Sequence, residues 1–199
     1  MTILLTACQA PTDLKNGDII FRGKSNGSLS SAIDEVTQTG HDFHFTHIGV
    51  VEVKDGKVMV WHAAPEKGVI CESLEDFTSG NGKDSVVVGH FRIKGIANHS
   101  IEEALELANK YKGQPYDYTY IMESEGFYCS EFVYTIFEQD SVFVLDPMTF
   151  KNPETGEYHQ GWIDHYQKMG IDIPEGKPGC NPNGMAASDK LDFLGYLSN

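Results

Sequence analysis

The sequence contains only four cysteines, and no two of them form a C-x-x-C pair. This spacing excludes a dense disulfide framework and gives no indication of a cysteine zinc site. The chain also has no run of 18 apolar residues, so we expect no membrane-spanning helix. Internal repeats and low-complexity segments are absent as well. The sequence therefore lacks the marks of a disulfide scaffold, a membrane-spanning protein or a repeat protein.

Positive charge is scarce, since 15 lysines and arginines stand against 29 aspartates and glutamates, for a net charge of -14. A protein this acidic repels phosphate backbones, so nucleic acid is not an expected partner. It should also avoid anionic membrane surfaces unless something anchors it. With 199 residues, 40% of them hydrophobic, the composition is that of one globular domain.

The first residues of the chain contain a short pattern, Leu5-Thr6-Ala7-Cys8, that resembles the lipobox of bacterial lipoproteins. No basic residue precedes it and the apolar run is short, so residues 1–13 have two interpretations, a clipped signal or a disordered terminus. The first predicts membrane anchoring through Cys8 and a location in the bacterial cell envelope, lipid-anchored or periplasmic. The second leaves a cytoplasmic location open. Residues 14–199 are expected to form a single domain.

The rest of the chain carries the patterns of both strands and helices. Strands are predicted over 46–53 and 58–64, because β-branched apolar residues flank an Asp55-Gly56 hairpin turn. Apolar residues at helical period predict a helix over 101–111. Further strands are predicted within 14–22, 69–73 and 85–93, and further helices within 28–39 and 162–169. This order of elements is typical of an α+β fold with an antiparallel sheet packed against helices.

Cys129 lies between a glycine-marked loop and an apolar stripe of helical period, formed by Phe132, Val133, Ile136 and Phe137. It is therefore expected at a helix N-terminus, where the dipole and the free N–H groups favour a thiolate. A small buried thiol at the start of a core helix is the alternative interpretation. If the thiol is activated, we expect it to react with alkylating agents well below about pH 7.

His47 opens the first strand of the predicted hairpin and His62 closes the second, so the two are expected to be cross-strand neighbours. The pair has three interpretations: metal ligands, a base with an orienting partner, or coincidence. No third metal ligand is evident, and neither H-x-x-x-H nor H-E-x-x-H occurs, so no metal site is predicted. For nucleophilic catalysis, a cysteine with a histidine base and a third polar group is a sufficient set.

Six blocks of the sequence resemble the YiiX/YebB-like branch of the NlpC/P60 superfamily, which are papain-like cysteine hydrolases with circularly permuted topology. The blocks are 14–21, 46–51, 60–63, 113–117, 128–133 and 178–188. As in the permuted branch, the histidine strand precedes the cysteine helix. The resemblance runs from about Leu14 to Leu191 and implies the permuted papain-like fold.

The resemblance also implies roles for individual residues. Cys129 would be the nucleophile, His47 the general base, and His62 the polar third member, at a position where relatives often carry Glu. Tyr116 matches a family tyrosine near the site and would support the oxyanion or pack. Two further residues are weaker candidates for contacting the substrate, Ser130 because it follows the nucleophile and His44 because it precedes the base. No cofactor is implied.

The resemblance leaves the substrate open. The expected activity is hydrolysis of an amide, as in a cell-wall-type peptide, or of an acyl ester in a lipid, through a Cys-His-His triad and a thioacyl-enzyme. The alternative is a non-catalytic module that binds a lipid or peptide on the same fold. We also expect the irregular segment 178–187 to line or cover the cleft, because long irregular loops in compact domains are usually functional.

Overall fold

The computed structural model describes residues 13–23, 28–39, 44–79 and 86–197. The proposed lipidation site, Cys8, lies outside the described residues. The strands are β1 (Ile19–Gly23), β2 (Phe45–Lys54), β3 (Lys57–Ala64), β4 (Gly68–Ser73), β5 (Val88–Ile93), β6 (Asp146–Pro147), β7 (Pro178–Gly179) and β8 (Leu191–Leu197). The helices are α1 (Ser28–Val36), α2 (Leu74–Ser79), α3 (Asn98–Lys110), α4 (Cys129–Ile136), α5 (Gln160–Met169) and α6 (Pro182–Ala186), with a 3-10 turn at Glu138–Asp140.

Six of these strands form one antiparallel sheet in the order β4-β3-β2-β1-β5-β8, and β6 pairs with β7 separately. The α+β prediction with an antiparallel sheet is confirmed. The edge strand β8 was not predicted, because three of its five large apolar side chains are exposed and give no clear alternation. Those exposed side chains are Phe193, Leu194 and Tyr196.

The β2–β3 hairpin forms at the predicted turn. Asp55 and Gly56 have φ angles of 51° and 73°, the positive values that a two-residue type I′ turn requires. The register pairs Lys54 with Lys57 and continues to Val50 opposite Trp61. The ladder between the two strands ends there, so among the described residues the first half of β2 has no ladder partner in β3.

The two faces of the sheet differ in size and cover. One face carries Ile48 and Val50 and joins most helices in the main core, whereas the other carries a small cluster around Phe77 of α2. α4 therefore packs on the first face and α2 on the second. The small cluster comprises Ile20, Val51, Val60, Phe77 and Val88.

Two helix boundaries differ from the sequence prediction. α3 begins at Asn98 instead of residue 101, because its first residues are polar and carry no apolar period. α5 begins at Gln160, after His159 has capped it by accepting from Gly161 N–H at 3.0 Å. In the described part of the chain, no helix is both long and apolar enough to cross a membrane.

Candidate active site

Cys129 is the first residue of α4, as the apolar stripe predicts, and is 5% exposed. The helix start is held by Glu131, whose Oε2 accepts the backbone N–H of Tyr128 at 3.1 Å. This contact is one half of a capping box and satisfies an N–H group that the helix itself leaves unpaired. The nucleophile candidate thus sits on a rigid and buried helix terminus.

The surroundings of the Cys129 thiol act in opposite directions on its pKa. Burial raises the pKa to about 11, although backbone N–H groups of Ser130 and Ile48, the Arg22 charge and the Tyr116 hydroxyl all favour the thiolate. The sequence-based expectation of a lowered pKa was therefore wrong. Position at a helix start can be read from sequence, but the desolvation that outweighs it depends on packing.

The thiol lies close to the strand that carries His47. The backbone N–H of Ile48, the residue after His47 in β2, donates to its sulfur. His47 leaves β2 on the face that α2 covers, since its ring packs against Phe77 at 5.7 Å between centroids. The thiol therefore lies near the backbone of β2, one residue along the strand from His47. In the described residues, no hydrogen bond joins Cys129 Sγ to His47.

The two predicted histidines are brought together. His47 Nε2 lies 2.7 Å from His62 Nδ1, and the two side chains are 5% and 2% exposed. Extending the register past Val50 and Trp61 makes them diagonal cross-strand neighbours on one face of the hairpin. Their contact is thus a consequence of the turn position and the strand period.

A third member of this chain, Glu72, was missed by the sequence analysis. Its Oε1 lies 3.0 Å from His62 Nε2. An ionised carboxylate only accepts, so His62 donates from Nε2 and accepts at Nδ1. His47 must then donate from Nε2, which leaves the lone pair of its Nδ1 free. The hydrogen-bond network therefore assigns the tautomer in which His47 can act as a base.

The pKa values of this chain favour neutral imidazoles beside an ionised carboxylate. Burial lowers the pKa of His47 well below 6.5, and the nearby Arg22 and His62 add to that effect. Burial also lowers the pKa of His62, although its hydrogen bond to Glu72 opposes the change. The same hydrogen bond lowers the pKa of Glu72. The resting site thus combines a neutral base with a protonated thiol.

Tyr116 lies beside Cys129, near the candidate site as the resemblance implies. It forms an isolated bridge with Phe127, two residues before Cys129, which fixes its backbone. Its hydroxyl lies beside the backbone N–H and the thiol of Cys129, and burial raises its pKa well above 10. A protonated hydroxyl and a helix-start N–H therefore stand together at the position expected for an oxyanion site.

Two glycines allow the Tyr116 segment to approach this closely. Gly68 has a φ of 70° and Gly126 a φ of 92°. A Cβ on Gly68 would collide with the carbonyl oxygen of Gln114, and one on Gly126 with that of Pro115. Backbone hydrogen bonds thus hold the segment 113–117 between the start of β4 and the loop that precedes Cys129.

The weaker candidates are placed differently. Ser130 is buried and its Oγ donates to the carbonyl oxygen of Cys180 at 3.0 Å, so that its backbone N–H is the group facing the thiol. His44 is exposed, and its Nδ1 lies 3.1 Å from Asp34 Oδ2. Among the described residues, neither side chain hydrogen-bonds to the His47–His62 pair.

The metal interpretation of the histidine pair does not fit the geometry. Two imidazole nitrogens that share one tetrahedral zinc would lie roughly 3.3 Å apart, given Zn–N bonds of about 2.0–2.1 Å. His47 Nε2 and His62 Nδ1 are 2.7 Å apart and bonded to each other. The described residues contain no group of three or more histidines, cysteines, aspartates or glutamates arranged to hold an ion.

The segment 178–187 folds back towards the nucleophile, which confirms the prediction. Gly179, Cys180 and Met185 line a cavity that Cys129 also lines. Asn183 anchors the segment, since its Oδ1 accepts the backbone N–H of Phe45 at 2.7 Å. Cys71, Cys129 and Cys180 are free thiols.

Comparison with known proteins places these features in a family. Residues 13–195 match the model of the permuted papain-like amidase enzymes, YaeF/YiiX, C92 family. The uncharacterised protein YiiX of Escherichia coli K12 is 27% identical over 124 residues, which span 62% of this chain and 57% of that protein.

A solved structure resembles the fold. The crystal structure of yiiX from Escherichia coli O157:H7, described there as a metalloprotein, superposes with a TM-score of 0.72 at 23% identity. The match covers 90% of this chain and 96% of that one. At this identity the similarity supports the fold alone.

Proposed function

Because the chain belongs to the permuted papain-like amidases of the YaeF/YiiX family, we propose that it is a cysteine amidase with Cys129 as nucleophile and His47 as general base. One observation carries this proposal, the hydrogen-bond chain from Glu72 through His62 to His47. That chain leaves a lone pair on His47 Nδ1. A buried relay of this kind is the arrangement that orients a catalytic base.

The proposed reaction starts from the neutral pair. His47 Nδ1 takes the thiol proton as Cys129 Sγ attacks the amide carbonyl, so that a C–S bond forms and the carbonyl oxygen becomes an oxyanion. The Cys129 N–H and the Tyr116 hydroxyl are in position to donate to that oxygen. His62 and Glu72 stabilise the imidazolium that results.

In the second half of the proposed reaction, His47 gives up the proton that it took from the thiol. The C–N bond breaks and His47 gives its proton to the leaving amine, which leaves a thioester on Cys129. Water then attacks the thioester with His47 again as base, and releases the acid and the free thiol. Hydrolysis of an acyl ester would follow the same steps with an alcohol as leaving group.

A non-catalytic binding module is a second candidate, because two observations favour it. The thiol has a raised pKa of about 11, and in the described residues it makes no hydrogen bond to His47. Catalytic hydrogen bonds are often long in structures without substrate, so the two candidates need an experiment.

The experiment is trapping of the acyl-enzyme. Wild-type protein is mixed with an acyl aminomethylcoumarin amide, quenched in acid and analysed by peptide mass spectrometry. We expect the acyl mass on the peptide that contains Cys129, together with coumarin release. Cys71→Ala is the matched control, because burial raises the pKa of that thiol to about 11 as well, and it should behave as wild type. Absence of both acyl mass and coumarin release across amides and esters would favour the binding module.

A further inference from the structure

The sequence contains two arginines, Arg22 and Arg92, and they have different surroundings. Arg92 is paired with Asp18, whose oxygens lie 2.7 Å from its Nε and from a terminal nitrogen. Among the described residues, no ion pair includes Arg22. A half-buried guanidinium without a carboxylate partner is unexpected in a chain of net charge -14.

The position of Arg22 follows from the register of the sheet. In the ladder between β1 and β2, Arg22 lies directly opposite His47. Residues opposite each other in an antiparallel pair carry their side chains on the same face, with Cβ atoms about 4.5–5.5 Å apart. Arg22 therefore lies next to the candidate base, on the side of the sheet that α2 covers.

The guanidinium also holds α2 on the sheet. Arg22 Nη1 donates to the carbonyl oxygen of Phe77 at 2.6 Å, and its Cζ lies 5.0 Å from the centroid of the Phe77 ring. That ring is 0% exposed and packs against the rings of His47 at 5.7 Å and His62 at 5.1 Å. A Cβ on Gly49 would come within 3.1 Å of the same ring, so a glycine in β2 allows this close packing. Arg22 thus fixes the ring that both imidazoles contact.

The titratable and charged groups around the histidine pair come from β1, β3, β4, α2 and α4. They are Arg22, His62, Glu72 with its partner Lys67, the exposed Glu75 and Asp76, and Cys129. Of the two cations, Lys67 is 66% exposed and lies 3.6 Å from Glu72. Arg22 is therefore the cation that acts on His47, and a guanidinium stays charged throughout the physiological pH range.

This charge acts on both partners of the proposed proton transfer. Burial lowers the pKa of His47, and the Arg22 charge lowers it further. Burial raises the pKa of Cys129, and the Arg22 charge opposes that change. Transfer of a proton from the thiol to the imidazole creates a negative and a positive charge near the same guanidinium, so the two effects partly offset each other. Arg22 should therefore affect the pH at which the base is protonated more than the rate of the transfer itself.

We propose that Arg22 is a positioning residue, which fixes Phe77 against the two imidazoles and places a permanent positive charge beside His47, so that the base stays unprotonated in mildly acidic solution. The inference rests on the proposed amidase function and adds the residue that sets the charge state of its base. The two arginines then have separate roles, since Arg92 is neutralised by Asp18 whereas the charge of Arg22 acts on the site.

The first test is a titration of the histidine rings by ¹⁵N NMR, with His47 assigned from the signals that His47→Gln loses. Arg22→Gln keeps an amide donor at this position and removes the charge, so His47 should take up its proton at a higher pH than in wild type. Arg22→Lys keeps the charge, and its His47 should titrate close to wild type. An unchanged His47 in Arg22→Gln would overturn the proposal, as would a wild-type His47 that protonates at or above about pH 6.5.

Arg92→Gln is the matched control, because it removes the other arginine, whose charge Asp18 neutralises. Its His47 should titrate as in wild type. An equal shift in Arg92→Gln and Arg22→Gln would mean that the total charge controls the base, and would count against the proposal. If Arg22→Gln does not fold, Arg22→Met removes the charge with a side chain of similar length and decides by the same criterion.

The pH dependence of amide hydrolysis is the second readout. Between about pH 8 and pH 5.5, kcat/KM of Arg22→Gln should fall at least about threefold more than that of wild type. At pH 8 the two should agree within about threefold, because the effects on thiol and imidazole partly offset each other. An equal loss in Arg22→Gln at every pH would mean that Arg22 has a structural role only.

The NMR titration separates this inference from the proposed function, because it needs no turnover. A shifted His47 in Arg22→Gln, without hydrolysis of any amide by wild type, would refute the amidase and keep Arg22 as the residue that sets the charge state of His47. Hydrolysis by wild type with an unshifted His47 in Arg22→Gln would refute the role of Arg22 and keep the amidase.

Discussion

Near each end of β1, the neighbouring strands carry a group in which a buried histidine is hydrogen-bonded to a carboxylate. At one end Asp18 contacts His90 Nε2 at 2.7 Å and both Nε and a terminal nitrogen of Arg92 at 2.7 Å. At the other end Glu72 contacts His62, and His62 contacts His47. Both groups lie on the same face of the sheet, separated by the small apolar cluster around Phe77.

The two carboxylates are used differently. Asp18 is 1% exposed and also accepts the backbone N–H of Lys15 at 2.9 Å, so its oxygens are fully engaged. Burial raises its pKa, but the hydrogen bonds from His90 and Arg92 outweigh burial and lower it. Glu72 instead acts through a second imidazole and has one exposed partner, Lys67, at 3.6 Å.

The comparison shows that a buried histidine–carboxylate pair is not in itself a catalytic signature. The Asp18 group is closed, since the hydrogen bonds of the carboxylate end on His90, on Arg92 and on the backbone N–H of Lys15. The Glu72 group is open, because it continues through His62 to a second imidazole, His47, which precedes Ile48, and the N–H of Ile48 faces the Cys129 thiol. The criterion that we propose is a carboxylate chain that continues to a second imidazole near a reactive group.

The largest expected difference between the two groups is catalytic. Cys129→Ala should abolish amide hydrolysis, and His47→Ala should lower kcat/KM by at least about 10³-fold, because each removes a group that makes or breaks bonds. His90→Ala should leave kcat/KM per folded molecule within about threefold. Rates measured at matched folded fraction check this. If His90→Ala lowered kcat/KM as much as His47→Ala does, the two groups would not differ in their catalytic role.

The next effect concerns the orientation of the base. His62→Ala should keep the fold and lower kcat about 10²-fold, because it removes the acceptor for His47 Nε2–H. His62→Gln should recover part of that loss, since an amide can accept from His47 and donate to Glu72. His62→Glu brings a second carboxylate beside Glu72, so it should recover activity only together with Glu72→Gln. Full activity in His62→Ala would reduce the proposed triad to a dyad.

A smaller effect is expected in the stability of the closed group. Asp18→Ala leaves His90 and Arg92 without their acceptor, and should lower the free energy of unfolding by about 2–3 kcal/mol. This is below the value for a fully buried pair, because the Arg92 side chain is 29% exposed. Urea denaturation measures the loss. Glu72→Ala should instead have a larger effect on activity than on the free energy of unfolding. A larger effect on the free energy of unfolding than on activity would contradict the distinction between the two groups.

The smallest effect is in the pH dependence. His47 must be neutral to take the thiol proton, and its lowered pKa keeps it neutral well below pH 6.5. We therefore expect kcat/KM to fall less than about twofold between pH 7 and pH 6, whereas a base titrating near its usual value of about 6.5 would lose about threefold.

The pH dependence of alkylation also reports on the proposed pair of Cys129 and His47. With the Cys129 pKa raised to about 11, the rate of carbamidomethylation should keep rising above about pH 9 and show no plateau near neutrality. A plateau below pH 7 would mean that His47 and Cys129 form an ion pair at rest.

The hairpin and the His47–His62 contact could be predicted from the sequence, because both follow from local rules. The Asp55-Gly56 turn sets the register, and the strand period then places the two imidazoles on one face. Glu72 was missed because its position depends on the register of a third strand. In that strand Ile70 lies opposite His62, and Glu72 comes two residues after Ile70. The one signal available was an acidic residue, Glu72, directly after the apolar residues Val69, Ile70 and Cys71 of a predicted strand.

Other features depended on long-range packing that no local pattern encodes. The burial that raises the pKa of Cys129 depends on the packing of the whole domain around α4. The Asp18 group joins residues more than 70 positions apart in sequence. Family resemblance indicated Cys129 as the candidate nucleophile and Tyr116 as a residue near it, but not the electrostatic state of either.

The Glu72–His62–His47 chain has a consequence for the order of assembly during folding. Its partners are only 10 and 15 residues apart, within one meander of strands. Loops this short close with little entropy loss and form early, whereas Cys129 must dock from more than 80 residues away. The base is therefore expected to be oriented in the nascent chain before the nucleophile arrives. In the proposed amidase, Cys129 and His47 would therefore come together only when the domain is complete.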